Sequence, residues 1–224
     1  QLGNNVGFIG KISNDDFGNK YEKGLKEENV KFFYKKKEEP LPTGTCLILV
    51  TPDSERTMCT YLGTAGKINE NDIDIKAIKN SEIILLEGYL WDEGDPKKAF
   101  DKAINNANKT AMSLSDKFCV DRHKKHFLEL ARNKLDIIFA NEGEIISLID
   151  AENFNEVISF GKEIKKNLII TRGEKGAISI CNNKVLEIGI QKDLKIIDLT
   201  GAGDLFAAGY LDGYIKNLDT GDCL

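Results

Sequence analysis

Asp198-Leu199-Thr200-Gly201-Ala202-Gly203-Asp204 follows a short apolar run, Ile196-Ile197, and ends in a carboxylate just where a stretch of helical character begins. Backbone N–H groups at a helix start lack intrahelical partners and carry partial positive charge. Gly201 and Gly203 would let that backbone approach an anion closely, as phosphate-binding loops do. Asp204 beside such a site is badly placed to hold a phosphate. It is well placed to take a proton from a hydroxyl that attacks a phosphoryl group. The plainer reading is a glycine turn with an acid in the first helical turn, and G-x-G alone favours it.

Three further loops carry polar residues in suggestive spacing. In Phe139-Ala140-Asn141-Glu142-Gly143-Glu144, Asn141 and Glu144 form a capping-box pattern. The same pair could hold a hydrated Mg²⁺ and phosphate oxygens. In Thr171-Arg172-Gly173-Glu174-Lys175-Gly176, two glycines follow an apolar run. They suit close approach to a nucleotide and equally a tight connection between strands. Asp116 follows Thr110–Leu114 and could reach the same cleft. His123 and His126, with Cys119 nearby, supply an incomplete ligand set on a charged helix, so a solvated helix face is the better reading than zinc. A dinucleotide fingerprint fits poorly, because Gly201–Phe206 lacks the third glycine, and no G-x-x-x-x-G-K-[ST] occurs.

Elements must bring these loops together. Val6–Ile12 reads as a buried strand and Phe17–Glu28 as a helix with Phe17, Tyr21 and Leu25 on one face. Val30–Tyr34, Thr45–Val50 and Arg56–Tyr61 are short and β-rich, and predict a small antiparallel sheet. Beyond residue 73, strands at Ile83–Leu86, Thr110–Leu114, Ile137–Ala140 and Leu168–Thr171 alternate with helices at Pro96–Asn108, Arg122–Asn133, Glu144–Ile149 and Asn155–Lys165. This alternation predicts a mostly parallel sheet covered by helices. Ala177–Cys181 and Lys184–Ile188 form a hairpin pattern around Asn182-Asn183. Ligands of such α/β bodies bind beyond the carboxyl ends of the strands, which is where the polar loops fall.

Bulk properties narrow the class. The 224 residues, 41% hydrophobic, suffice for one sizeable core. A net charge of −5 with interleaved signs argues against nucleic acid as the main partner. No apolar run approaches the roughly 20 residues of a membrane span. Five widely spaced cysteines without C-x-x-C suit a reducing, cytoplasmic compartment rather than a disulfide framework. Gln1-Leu2-Gly3-Asn4 looks like the end of a missing helix, so an internal fragment of a longer chain is expected.

In order and spacing, the three motifs resemble those of the PfkB (ribokinase-like) sugar and nucleoside kinases. Asp198–Asp204 with Phe206 matches the signature D-T-x-G-A-G-D-x-F, with Leu199 and Thr200 in its second and third places. Asn141–Glu144 matches N-x-x-E, and Thr171–Gly176 matches T-x-G-x-x-G. The segments PTGTCLILVTPDSERTM, EGYLWD, LSDKFCVDRH and FANEGE look most like bacterial adenosine kinase-like members, with fructokinases close behind.

The resemblance implies a ribokinase-like α/β fold: a doubly wound, mostly parallel sheet with helices on both faces. Core segments 1–29 and 63–224 would carry a small inserted β lid at 30–62. It implies an ATP- and Mg²⁺-dependent phosphotransferase, with Asp204 as base and Gly201, Ala202 and Gly203 forming the anion hole. Asn141 and Glu144 would organise Mg²⁺–ATP, Glu144 on the metal side. Thr171, Gly173 and Gly176 would line the nucleotide site, and Thr43, Gly44, Gly88 and Asp116 would face the acceptor. The partner would be a small nucleoside or sugar, with neither nucleic acid nor membrane, and the exposed lid could serve as a homodimer surface. Phe32, Phe33, Tyr34, Met58 and Tyr61 could help build an apolar slot for a purine, or simply pack the sheet. The family's acceptor-binding Asp and Gly-Gly-x-x-x-N segment would precede Gln1, and its adenine-flanking helices would follow Leu224, which leaves open whether this stretch folds fully or turns over alone. A non-catalytic ligand-binding protein on the same fold is the reading from another class.

Overall fold

The computed structural model describes residues 2–52, 56–92, 95–191 and 198–224. The run Ile196-Ile197 and the turn residues Asp53-Ser54 lie outside the described residues. The chain divides into two compact units, one of Gln1–Ser81, Leu90–Asn106 and Lys195–Thr200, the other of Glu82–Tyr89, Ala107–Leu194 and Gly201–Leu224.

The first unit contains β1 (Gly7–Phe8), α1 (Asp16–Glu27), β2 (Lys31–Phe32), β3 (Thr45–Val50), β4 (Arg56–Tyr61), α2 (Ile75–Lys79) and α3 (Pro96–Ile104). Strands β3 and β4 pair antiparallel with the register Thr45↔Tyr61 to Val50↔Arg56. The segment read as a third strand of that sheet pairs elsewhere: β2 runs parallel to β1. Its reason is aromatic. Phe32 stacks on Phe8 at 6.1 Å, and Tyr21 of α1 meets both rings edge-on at 5.7 and 6.5 Å, contacts that β3 and β4 do not offer. The first predicted strand shrinks to two residues, with one further bridge between Ser13 and Lys37. Ile12, Ile68, Ile78, Trp91, Ala99 and Phe100 are buried in this unit. Buried Lys11 is compensated by Asp72 at 3.3 Å and Glu39 at 3.7 Å, as a buried charge requires.

The second unit contains β5 (Ile84–Glu87), β6 (Thr110–Ser113), α4 (Lys117–Asn133), β7 (Ile137–Asn141), α5 (Glu142–Ile149), α6 (Phe154–Ile164), β8 (Asn167–Thr171), β9 (Ala177–Cys181), β10 (Lys184–Ile188), α7 (Ala202–Ile215) and α8 (Thr220–Cys223). One six-stranded sheet has the order β10-β9-β8-β7-β6-β5. Strands β5 to β8 are parallel; β9 runs antiparallel to β8, and β10 runs antiparallel to β9. Alternate side chains leave opposite faces. Ala111, Ile137, Phe139 and Ile169 pack with Ala207 and Tyr210 of α7 and Cys223 of α8. Ile138, Leu168 and Ile180 share the other face through their register, where Gly161 lets α6 settle against Ile180. Helices thus cover both faces, as the strand–helix alternation implied. The hairpin β9–β10 forms as read, with Asn182 and Asn183 both at positive φ, the conformation a two-residue turn demands. Helix α4 starts five residues earlier than its apolar spacing suggested, because Asp116 caps it and a kink at His123 breaks the period.

Candidate active site

Register places the loops that follow β5 to β8 on one edge of the sheet. Glu87 pairs with Ser113, Ser113 with Phe139, and Asn141 with Thr171, so strands β5 to β8 all end there. Asn141 caps α5: its Oδ1 accepts from the Glu144 amide at 2.8 Å, and Glu144 returns Oε2 to the Asn141 amide at 2.9 Å. Asn141 Nδ2 also donates to Glu144 Oε1 at 2.6 Å. The capping box therefore exists, and it holds the carboxylate proposed for metal in one orientation. Burial raises the Glu144 pKa against the lowering bond from Asn141, and Asp116 adds to the rise.

Asp116 caps α4 by accepting from the Cys119 amide at 2.6 Å. Gly88 follows β5 directly. A Cβ there would lie 3.0–3.1 Å from the carbonyl oxygens of Leu114 and Ser113, so glycine lets the β5 and β6 exits run side by side. Residue 87 was not singled out in the sequence, yet the Glu87 carboxyl is pushed up to about 7. Burial is the main cause, with Asp204 and Glu144 adding to it against a hydrogen bond from Ser115. Glu87 thus closes β5, Asp116 follows β6 and Glu144 follows β7, and Asp204 lies near enough to Glu87 to add to its shift. The only signal for Glu87 was an acid closing an apolar strand, which is common at solvated strand ends.

At the start of α7, Gly201 is the N-cap, in the left-handed region at φ 76° and without a side chain to bond the amides behind it. The amides of Ala202, Gly203 and Asp204 fall in the turn where helical partners are lacking. Asp204 itself is exposed. Ahead of the turn, Asp198 Oδ1 accepts from the Thr200 amide at 2.8 Å.

After β8, Gly173 and Gly176 both take positive φ, and Arg172 and Gly176 close the loop with an N–H to O bond of 2.8 Å. The structure therefore brings Gly88, Asp116, Asn141, Glu144, Thr171, Gly173, Gly176, Gly201, Ala202, Gly203 and Asp204 into one unit. Thr43 and Gly44 belong to the other unit. There the buried Thr43 hydroxyl donates to Asp15 Oδ1 at 2.7 Å and accepts from the Ser13 amide at 3.0 Å. Of the residues suggested for a purine slot, Phe32 is taken up by Phe8, and Tyr34 donates to Glu39 at 2.5 Å. Met58 and Tyr61 are exposed on the β3–β4 hairpin. His123 lies against the Phe127 ring, and among the described residues no group of three or more His, Cys, Asp or Glu could cage a metal. Carboxylate and amide oxygens at the strand ends have the chemistry to hold a hard cation.

A doubly wound sheet with polar loops at its carboxyl edge is the arrangement in which α/β proteins bind small ligands. Residues 1–224 match the model of the pfkB family carbohydrate kinases, and the chain belongs to that family. It is 27% identical over 230 residues to a nucleoside kinase of Methanocaldococcus jannaschii, a match covering all of this chain and 70% of that one. The adenosine kinase structure of Sinorhizobium meliloti superposes with TM-score 0.95 at 34% identity, over 99% of this chain and 69% of that one. A ribokinase-like Escherichia coli protein solved with ATP and Mg²⁺ shares the fold, with TM-score 0.89 at 20% identity over 100% of this chain and 74% of that one.

Proposed function

We propose that the protein transfers the terminal phosphoryl group of ATP to a hydroxymethyl group of a ribonucleoside or sugar, with an adenosine-type nucleoside as the preferred acceptor. The observation that carries this reading is the first turn of α7, where amides without helical partners and an exposed carboxylate share one turn behind a left-handed glycine. Asp204 takes the proton of the acceptor hydroxyl as its oxygen bonds to the phosphorus. The bond from phosphorus to the bridging oxygen breaks, and ADP leaves. The Gly201–Gly203 backbone stabilises charge on the transferring group. Asn141 and Glu144 would hold Mg²⁺, which would supply charge neutralisation on the phosphates. Thr171, Gly173 and Gly176 line the nucleotide. Gly88 and Asp116 face the acceptor, and Glu87, about half protonated near neutrality, can donate to one of its hydroxyls. Thr43 and Gly44 keep a proposed role towards the acceptor at the foot of the β3–β4 hairpin, and that hairpin is a proposed surface for a second copy.

The 34% identity to the Sinorhizobium meliloti adenosine kinase structure favours a nucleoside over a bare sugar. The deciding experiment is coupled ADP release with adenosine, fructose and ribose as acceptors. Turnover highest with adenosine is expected. Turnover highest with fructose would move the acceptor to sugars. Acceptor binding without ADP release from any of the three would turn the reading to a non-catalytic binder.

A further inference from the structure

Asn141 and Thr171 are register partners at the ends of β7 and β8. One residue later the two chains separate, one into α5 and the other into the Arg172–Gly176 loop. That loop is closed on itself, with Lys175 N bonding Arg172 O at 3.1 Å and Gly176 N bonding Gly173 O at 2.9 Å. Its link to α5 is made by side chains. Arg172 Nε donates to Glu142 Oε2 at 3.2 Å, and Lys175 Nζ stands 3.3 Å from Glu142 Oε1. The Arg172 guanidinium also lies 3.9 Å from the ring centroid of Phe154, the first residue of α6, and 4.0 Å from Glu187 of β10. With the Arg172 and Glu142 side chains only 15% and 26% exposed, this pair is less screened than a surface bridge.

We propose that Arg172 is a positioning residue: clamped between Phe154 and Glu142, it ties the loop after β8 to the first turn of α5, so that Asn141–Glu144 and Thr171–Gly176 meet a bound nucleotide as one preset surface. This rests on the kinase reading above, since it assigns both loops to the nucleotide. An aromatic face and a carboxylate together specify a planar guanidinium better than an ammonium. Preset loops lower the ordering cost of binding, so the tie acts on nucleotide affinity and not on the acceptor.

The test is a double-mutant cycle on the full-length protein with Arg172→Ala, Glu142→Gln and both, reading ATP binding by calorimetry and KM and kcat by ADP release. The expected result is nucleotide KM and Kd about tenfold higher in each single variant, with the acceptor KM and kcat at saturating ATP within about twofold of the wild type, and the double variant no weaker than the worse single one. Arg172→Lys is expected to recover only part of the loss. Glu142→Gln, nearly isosteric in a first helical turn, keeps the test alive if Arg172→Ala does not fold. Unchanged ATP binding in the single variants, losses that multiply in the double, or equal falls in kcat and acceptor affinity would overturn the positioning role. A wild-type protein that binds no ATP would instead overturn the kinase reading, and this inference with it.

Discussion

At the residue scale, two groups have consequences that can be measured without substrate. The Glu87 carboxyl is raised to about 7 by burial and by its acidic neighbours. A carboxyl raised in the folded state binds its proton more tightly there than in the unfolded chain. Its stabilising protonated form is fully present below the ordinary carboxylate range and is lost as pH rises towards 7. Glu87→Gln, which stays neutral, is therefore expected to melt above the wild type at pH 8 and close to it at pH 4. Melting curves without nucleotide or Mg²⁺ check this, and an equal difference at both pH values would contradict it. Gly176 is the second group. At φ 84°, with the Ile188 carbonyl oxygen where a Cβ would sit, it tolerates no side chain. Gly176→Ala is expected to cost at least about 1–3 kcal/mol in denaturant unfolding. Glycine needs of this kind could be read from T-x-G-x-x-G. The role of Glu87 could not, because its perturbation comes first from burial and then from acids at the starts of α7 and α5 that sequence distance hides.

At the element scale, Asp15 joins the α1 start to the foot of the β3–β4 hairpin. It accepts from the Gly18 amide at 2.8 Å, the Thr43 amide at 2.7 Å and the Thr43 hydroxyl at 2.7 Å. The bond from the Thr43 amide leads the causes that lower its pKa. A carboxyl lowered on folding stabilises above its unfolded pKa, and that contribution fades as pH falls through the folded one. Asp15→Ala is expected to lower Tm at pH 7, with the gap to the wild type narrowing as pH falls below 4. A gap independent of pH would contradict the role. Most elements were legible because period and turn chemistry agreed, as in the β9–β10 hairpin around Asn182-Asn183. They failed where tertiary contacts overrode local pattern: β2 follows Phe8 and Tyr21 rather than the hairpin, and the His123 kink hides the first turns of α4.

At the scale of the whole molecule, the motifs point to one sheet edge, and the structure gathers eleven of the thirteen sequence-derived site residues into the unit that carries it. The remaining two, Thr43 and Gly44, came from the family resemblance alone. Their surroundings were not legible, since the partner of Thr43 is an acid 28 positions away. The hairpin exposes Leu47, Leu49 and Val50, an edge of the kind that pairs with other chains. If it binds a second copy, Leu49→Lys is expected to shift the sedimentation of the full-length protein from dimer to monomer, and a wild type that sediments as a monomer would end that proposal. The central claim, that Asp204 takes the proton beside an amide-lined phosphoryl site, is met most directly by Asp204→Asn in the full-length protein, with ATP binding and ADP release measured side by side. A fall in kcat of about 10²–10⁴-fold with ATP affinity nearly unchanged is expected; turnover equal to the wild type would contradict it.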